Sequence, residues 1–243
     1  MLNKLKKMMT LSLFLTILIM YSHECMANTK TRQEYEQTGQ VIWEVKTKNK
    51  VIALTFDDGP HPRNTPLILD LLKENGVQAT FFVTGENLKK YPHIAQEAVN
   101  LGHEIGNHTY SHTYSESITK DTISQEIKRT NTLMSSILGQ TPIFFRPVGG
   151  YHNDDIISAA VEQNHLVVLW SWHQDPRDWA RPGAYKISQH ILKNSRPGDI
   201  ILLHDGGGNR IQTVEALRTV IPLLKEQGYT FVTLSELISE NAN

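Results

Sequence analysis

Five short extended pieces, most of them uninterrupted apolar runs, each end abruptly in a cluster of Asp, His or Arg, with helix-like stretches between them. Residues 51–56 (VIALTF) run into DDGP, 103–107 into HTYSH, 142–145 (PIFF) into RPVGG, 166–170 (LVVLW) toward DPRDW, and 200–203 (IILL) into HD. A strand with one face in water alternates apolar and polar residues. A strand covered on both faces reads as a continuous apolar run, so these pieces predict a parallel sheet sheathed by helices. Two further strands are expected at 78–83 and 229–234.

The intervening stretches carry helix signals. Residues 65–75 have Pro66 near the start and Gly76 just past the end, the asymmetry of a helix. Ile123, Ile127, Met134, Ile137 and Leu138 fit one helical face that Gly139 terminates. Helices are also expected at 92–101, 154–163, 184–194, 214–226 and 235–239. About seven such strand–helix units in one domain favour an α/β fold of the closed (β/α) barrel type over an open doubly wound sheet.

Composition narrows the function classes. With 40% hydrophobic residues in 243, the chain can bury a sizeable core, and 20% charged residues of balanced sign exclude bulk disorder. A formal net charge of −1 offers no field for nucleic acid. Lys4, Lys6 and Lys7 precede an apolar run over 11–21 that is short for a membrane span, and Cys25-Met26-Ala27 offers a cleavage site. Residues 1–27 are therefore read as a signal peptide, with a retained membrane anchor as the alternative. Cleavage would remove the only Cys and leave a thiol-free exported protein without a stable membrane span. Residues 28–47 are polar and aperiodic, read as a linker or a strand-poor N-terminal extension, ahead of one folded domain over 48–243.

In a barrel of this kind, chemistry sits at the C-terminal ends of the strands. Adjacent Asp57 and Asp58 are costly to hold together unless a cation or a proton relieves them, although for the dipeptide alone an Asx turn with Gly59-Pro60 is the better reading. His108 and His112, four apart, would share one face of a helical turn, a spacing that suits two imidazoles on one metal. Thr109 stands where a zincin would carry its Glu, so the pair is not that motif. Arg146, Asp178 and His204 follow at later strand ends. Each alone reads as a salt bridge, a turn or a cap. Five consecutive strand ends bearing such groups read as an active site.

Together the five motifs TFDDGP, HTYSH, RPVGG, DPRDW and LLHD resemble, in order, those of the NodB-like polysaccharide deacetylases of carbohydrate esterase family four. The resemblance spans about residues 51–234. It implies a distorted (β/α) barrel that removes N- or O-acetyl groups from glycans with a divalent metal, Zn²⁺ first, Co²⁺ or another ion as alternatives. By position, Asp58, His108 and His112 would hold the metal and Asp57 would be the general base, fixed and kept ionised by Arg146. His204 would be the general acid, oriented by Asp178. Trp179 and Leu202 would wall the acetyl pocket, although both are equally good core residues. Where many members carry an aromatic or basic residue, this chain has Gly149; its N–H would still serve the oxyanion, and Tyr151 would fill part of the vacated space. The implied partner is a glycan, peptidoglycan ahead of chitin-type oligomers, with an O-acetyl esterase and an inactive glycan-binding barrel as alternatives. A monomer at the cell envelope is expected. His61, His152 and His173 lie near strand ends, while His93, His103, His165 and His190 are expected to be structural or on the surface.

Overall fold

The computed structural model describes residues 30–240, so the signal-peptide reading of 1–27 lies outside the described residues. Its strands are β1 (Val41–Ile42), β2 (Val51–Gly59), β3 (Thr80–Val83), β4 (Glu104–Asn107), β5 (Phe144–Phe145), β6 (Leu166–Val168), β7 (Ile200–His204) and β8 (Thr230–Phe231). The helices are α1 (Arg32–Gln37), α2 (Asn64–Glu74), α3 (Gly85–Lys90), α4 (Pro92–Asn100), α5 (Lys120–Leu138), α6 (Asp154–Val161), α7 (Ala184–Asn194), α8 (Ile211–Glu226) and α9 (Leu234–Ser239).

Seven strands pair in the order β1-β6-β5-β4-β3-β2-β7, every ladder parallel, and β8 pairs with the first residues of β2. This is the expected (β/α) barrel. Burial on both faces explains the unbroken apolar runs. In β2, Ile52, Leu54 and Phe56 pack outward against the helices, while Ala53 points inward with Phe82, Phe144, Val168 and Ile200. Leu234 and Leu237 of α9 join that inner cluster, and the Leu234 amide donates to Thr80 Oγ1 at the start of β3. The C-terminal helix thus covers the N-terminal mouth of the barrel, and the opposite mouth holds the polar strand ends.

The N-terminal segment differs from the sequence expectation of a linker. Thr31 and Glu34 form a capping box that starts α1, and β1 pairs with β6. Val41, Trp43 and Val45 are buried, and Glu44 makes an antiparallel bridge to Asp199 across the gap between β1 and β7. Alternation over 41–45 is the signal, too short to stand out beside the polar flank. The segment carries one short helix and one two-residue strand, and its buried side chains and the Glu44 bridge sit between β6 and β7.

Candidate active site

Asp57 and Asp58 are neighbours on β2 and should point to opposite faces of the sheet. They do not, because the register breaks between Asp57 and Gly59 and Asp58 adopts φ 74°. This left-handed residue turns its carboxylate toward the same mouth as Asp57. Asn87 Nδ2 donates to the Asp58 carbonyl at 2.8 Å and holds the bend. Gly206 is needed beside it, since a Cβ there would lie 2.0 Å from that carbonyl oxygen.

His108 and His112 come together as the spacing suggests, ring centroids 5.1 Å apart, but not on a helix. The expectation of a helical turn is corrected: the segment after β4 is a loop in which Thr109 (φ 67°) and His112 (φ 54°) are both left-handed. His108 is buried, and its Nδ1 lies 2.7 Å from the Arg146 carbonyl, which can only accept, so Nδ1 carries the proton. Its Nε2 is thereby turned to the acidic pair, 3.5 Å from Asp58 Oδ1 and 3.8 Å from Asp57 Oδ2. His112 Nε2 lies 2.8 Å from Asp58 Oδ1. Burial alone would raise the Asp58 pKa, yet hydrogen bonds and charge from both histidines hold it well below the usual carboxylate range.

Among the described residues, Asp58, His108 and His112 form a group whose ligand atoms all lie within 4.8 Å of one another. One carboxylate oxygen and two imidazole nitrogens, with the His108 tautomer fixed by a backbone carbonyl, make a donor set that fits Zn²⁺ or a similar divalent ion.

Arg146, at the end of β5, is wholly buried. Its Nη1 donates to Asp57 Oδ1 and Thr55 Oγ1, both at 2.8 Å, Nε to the Val168 carbonyl at 3.0 Å, and Nη2 to the Leu169 carbonyl at 2.8 Å. Across the mouth, His204 Nδ1 lies 2.7 Å from Asp178 Oδ1, and the His204 amide donates to Asp178 Oδ2 at 3.0 Å. Thr213 Oγ1 also donates to that oxygen at 2.7 Å. Burial works to lower the His204 pKa. The hydrogen bond and charge of Asp178, then the charges of Asp57 and Asp58, override it and raise the value to about 9.

The four expected substrate contacts fall in different settings. Leu202 is buried two residues below His204 on β7, and Trp179 stands half exposed at the rim. Gly149 sits in a 3₁₀ turn at φ 61°, and Tyr151 packs partly into the core with its hydroxyl on the Glu116 carbonyl. The exposed ring of Tyr114, unforeseen in the sequence, lies against Gly149 and edge-on to Tyr151. His103 and His165 are buried as expected of structural residues, and burial pushes both pKa values down to about 4.

Three supports escaped the sequence reading. Arg210 ties the Gly206, Gly207 and Trp179 carbonyls together. Asp205 is fully buried, accepts from Thr65 Oγ1, and has its pKa pushed by burial to about 7. Glu126 of α5 accepts three hydrogen bonds from the histidine loop. Only Asp205, the last residue of the LLHD motif, had any local signal, and it was given no role there.

A family model described as polysaccharide deacetylase matches residues 44–168. A peptidoglycan-N-acetylglucosamine deacetylase of Bacillus cereus is 48% identical over 85% of this chain and 97% of its own length. A chitooligosaccharide deacetylase of Rhizobium leguminosarum bv. trifolii is 37% identical over 79% of this chain and 94% of that protein. The crystal structure of the Bc1960 peptidoglycan N-acetylglucosamine deacetylase superposes with a TM-score of 0.82 at 38% identity, covering 86% of this chain and 98% of that one. Identity of 48% over 85% of the chain to a deacetylase, on a shared fold, places the chain in the polysaccharide deacetylase family.

Proposed function

We propose that this deacetylase is an exported, metal-dependent enzyme that removes N-acetyl groups from N-acetylglucosamine units of peptidoglycan. The observation that carries the reading is the pairing of the Asp58–His108–His112 group with two separately tethered side chains, Asp57 on Arg146 and His204 on Asp178. The near-full-length likeness to a peptidoglycan deacetylase supports the substrate, and the basic-then-apolar N-terminus supports export.

Asp58, His108 and His112 would hold the metal, which supplies Lewis acidity, easing ionisation of water and polarising the acetyl carbonyl. Asp57, held in place by Arg146, accepts the proton of the attacking water. His204, protonated at neutral pH, gives its proton to the departing sugar nitrogen, and acetate and a free amine result. The Gly149 N–H would serve the carbonyl oxygen as charge builds on it.

The test compares acetate released from peptidoglycan, chitin oligomers and acetylxylan by residues 28–243, beside fractionation of cells expressing the full chain. Release from peptidoglycan, with the protein outside the cytoplasm, is the expected result. Release from acetylxylan alone would reassign the enzyme to O-acetyl esters, and release from none would leave a glycan-binding barrel.

A further inference from the structure

The two histidines of the metal-ligand group are held very differently. His108 is buried, and its ring is fixed by the Arg146 carbonyl. The His112 side chain is 41% exposed and touches only Asp58 at its ring nitrogen, so its place depends on the loop that carries it. That loop contains two non-glycine residues in the left-handed region, Thr109 and His112, a conformation that needs external support.

Support comes from three sides. Asn107 Oδ1 accepts from the Thr109 amide at 2.8 Å, and the first amides of α3, Gly85 and Glu86, donate to the Thr109 and Tyr110 carbonyls. The third side is α5. Glu126 Oε2 accepts from the Tyr110 amide at 3.0 Å, the Ser111 amide at 2.7 Å and Ser111 Oγ at 2.9 Å. Three residues on, the Arg129 guanidinium lies 3.4 Å from the centre of the Tyr110 ring. Two successive amides immediately before His112 thus converge on one carboxylate oxygen, delivered by a 19-residue helix.

We infer that Glu126 is the positioning residue that presents His112 to the metal, through its three hydrogen bonds to Tyr110 and Ser111. The inference rests on the metal reading above. Without the carboxylate, the two amides and the hydroxyl turn to water, the strained loop relaxes, and His112 no longer waits beside Asp58. Glu126 reaches neither metal nor substrate, so its effect belongs to assembly of the ligand set.

The test uses metal-free wild type, Glu126→Gln, Glu126→Ala and Ser111→Ala, titrated calorimetrically with Zn²⁺ and by absorption with Co²⁺, beside their metal-free melting curves. Loss of such support costs on the order of 10–100-fold in metal affinity. Glu126→Ala is expected near the upper end. Glu126→Gln should lie between it and wild type, because its amide oxygen can take the place of Oε2 but without the negative charge that strengthens all three bonds. Ser111→Ala, which removes a single bond, should lose several-fold. A metal bound with two ligands in place of three should also change the Co²⁺ absorption bands. If the alanine variant does not fold, Glu126→Gln and Ser111→Ala carry the comparison. Folded variants that bind Zn²⁺ within twofold of wild type, with unchanged Co²⁺ bands, would overturn the inference alone. A wild-type chain that binds neither ion would overturn the metal reading, and this inference with it.

Discussion

Arg146 Nη1 and Asp57 Oδ1 are 2.8 Å apart in a pocket where the guanidinium is wholly buried and the carboxylate nearly so. Removing one partner strands the other charge, which costs about 3–5 kcal/mol. Arg146→Ala should lower unfolding stability by that amount in urea titration. Arg146→Lys should recover only part of it, since a single ammonium cannot meet Asp57, Thr55 and the Val168 and Leu169 carbonyls together.

Asp57→Asn keeps the shape of the site and removes the proposed base. Metal content should stay at the wild-type level while turnover falls by about 10²–10⁴-fold. Metal analysis and acetate release on the same preparation decide it. Wild-type turnover at full metal occupancy would assign the base elsewhere.

His108→Ala and His112→Ala should both lower metal content and activity together, but they should differ in metal-free stability. The His108 ring donates to the buried Arg146 carbonyl, so its loss leaves an unpaired acceptor worth about 1–3 kcal/mol. The His112 side chain is 41% exposed and pairs with Asp58 alone, so its removal should lower the metal-free melting temperature less. Full metal occupancy in either variant would remove that residue from the ligand set.

Asp205 gives a stability signature of its own. Burial raises its pKa to about 7 in the folded protein, against an ordinary carboxyl near 4. The folded state therefore holds a proton that the unfolded state releases first, and this group's contribution to stability falls as pH rises from about 4 to about 7. Asp205→Asn, which cannot ionise, should flatten that part of the stability–pH curve measured in the presence of a chelator. An unchanged slope would mean that the carboxyl titrates normally.

Most of the barrel was legible in the sequence because burial on both faces writes itself as unbroken apolar runs, and because the polar residues change abruptly where those runs end. Asp57, Asp58, His108 and His112 could be paired from neighbouring motifs. The left-handed turns at Asp58 and His112 could not, since neither residue type announces that backbone. Thr213 lies 35 residues from the Asp178 it supports and is one threonine in a helix otherwise chosen for its apolar face. Glu126 is likewise an unremarked helical Glu until the sheet order brings α5 beside the histidine loop. Trp43 was hidden for a simpler reason: a two-residue strand is too short to show a period.

The pairing of His204 with Asp178 predicts how pH governs the reaction. The raised imidazole pKa, about 9, means that the proton needed by the leaving nitrogen is present through neutral pH and lost as pH rises through that value. Its contribution to stability has the same sign: present in full below the ordinary histidine pKa of about 6.5 and lost on passing the folded value. Asp178→Asn keeps an acceptor oxygen but removes the negative charge that helps outweigh burial, so the alkaline limb of kcat/KM should move to lower pH. Water acidified at the metal titrates in the same range, so the limb alone does not name the group. The leaving group does. A sugar amine departs poorly unless protonated, whereas the alcohol of an activated acetate ester departs without help. His204→Ala should therefore cost much more on an N-acetyl oligosaccharide than on such an ester, by a further factor of about 10²–10⁴. Equal losses on the two substrates would show that His204 serves the carbonyl oxygen or the structure, and not the departing nitrogen.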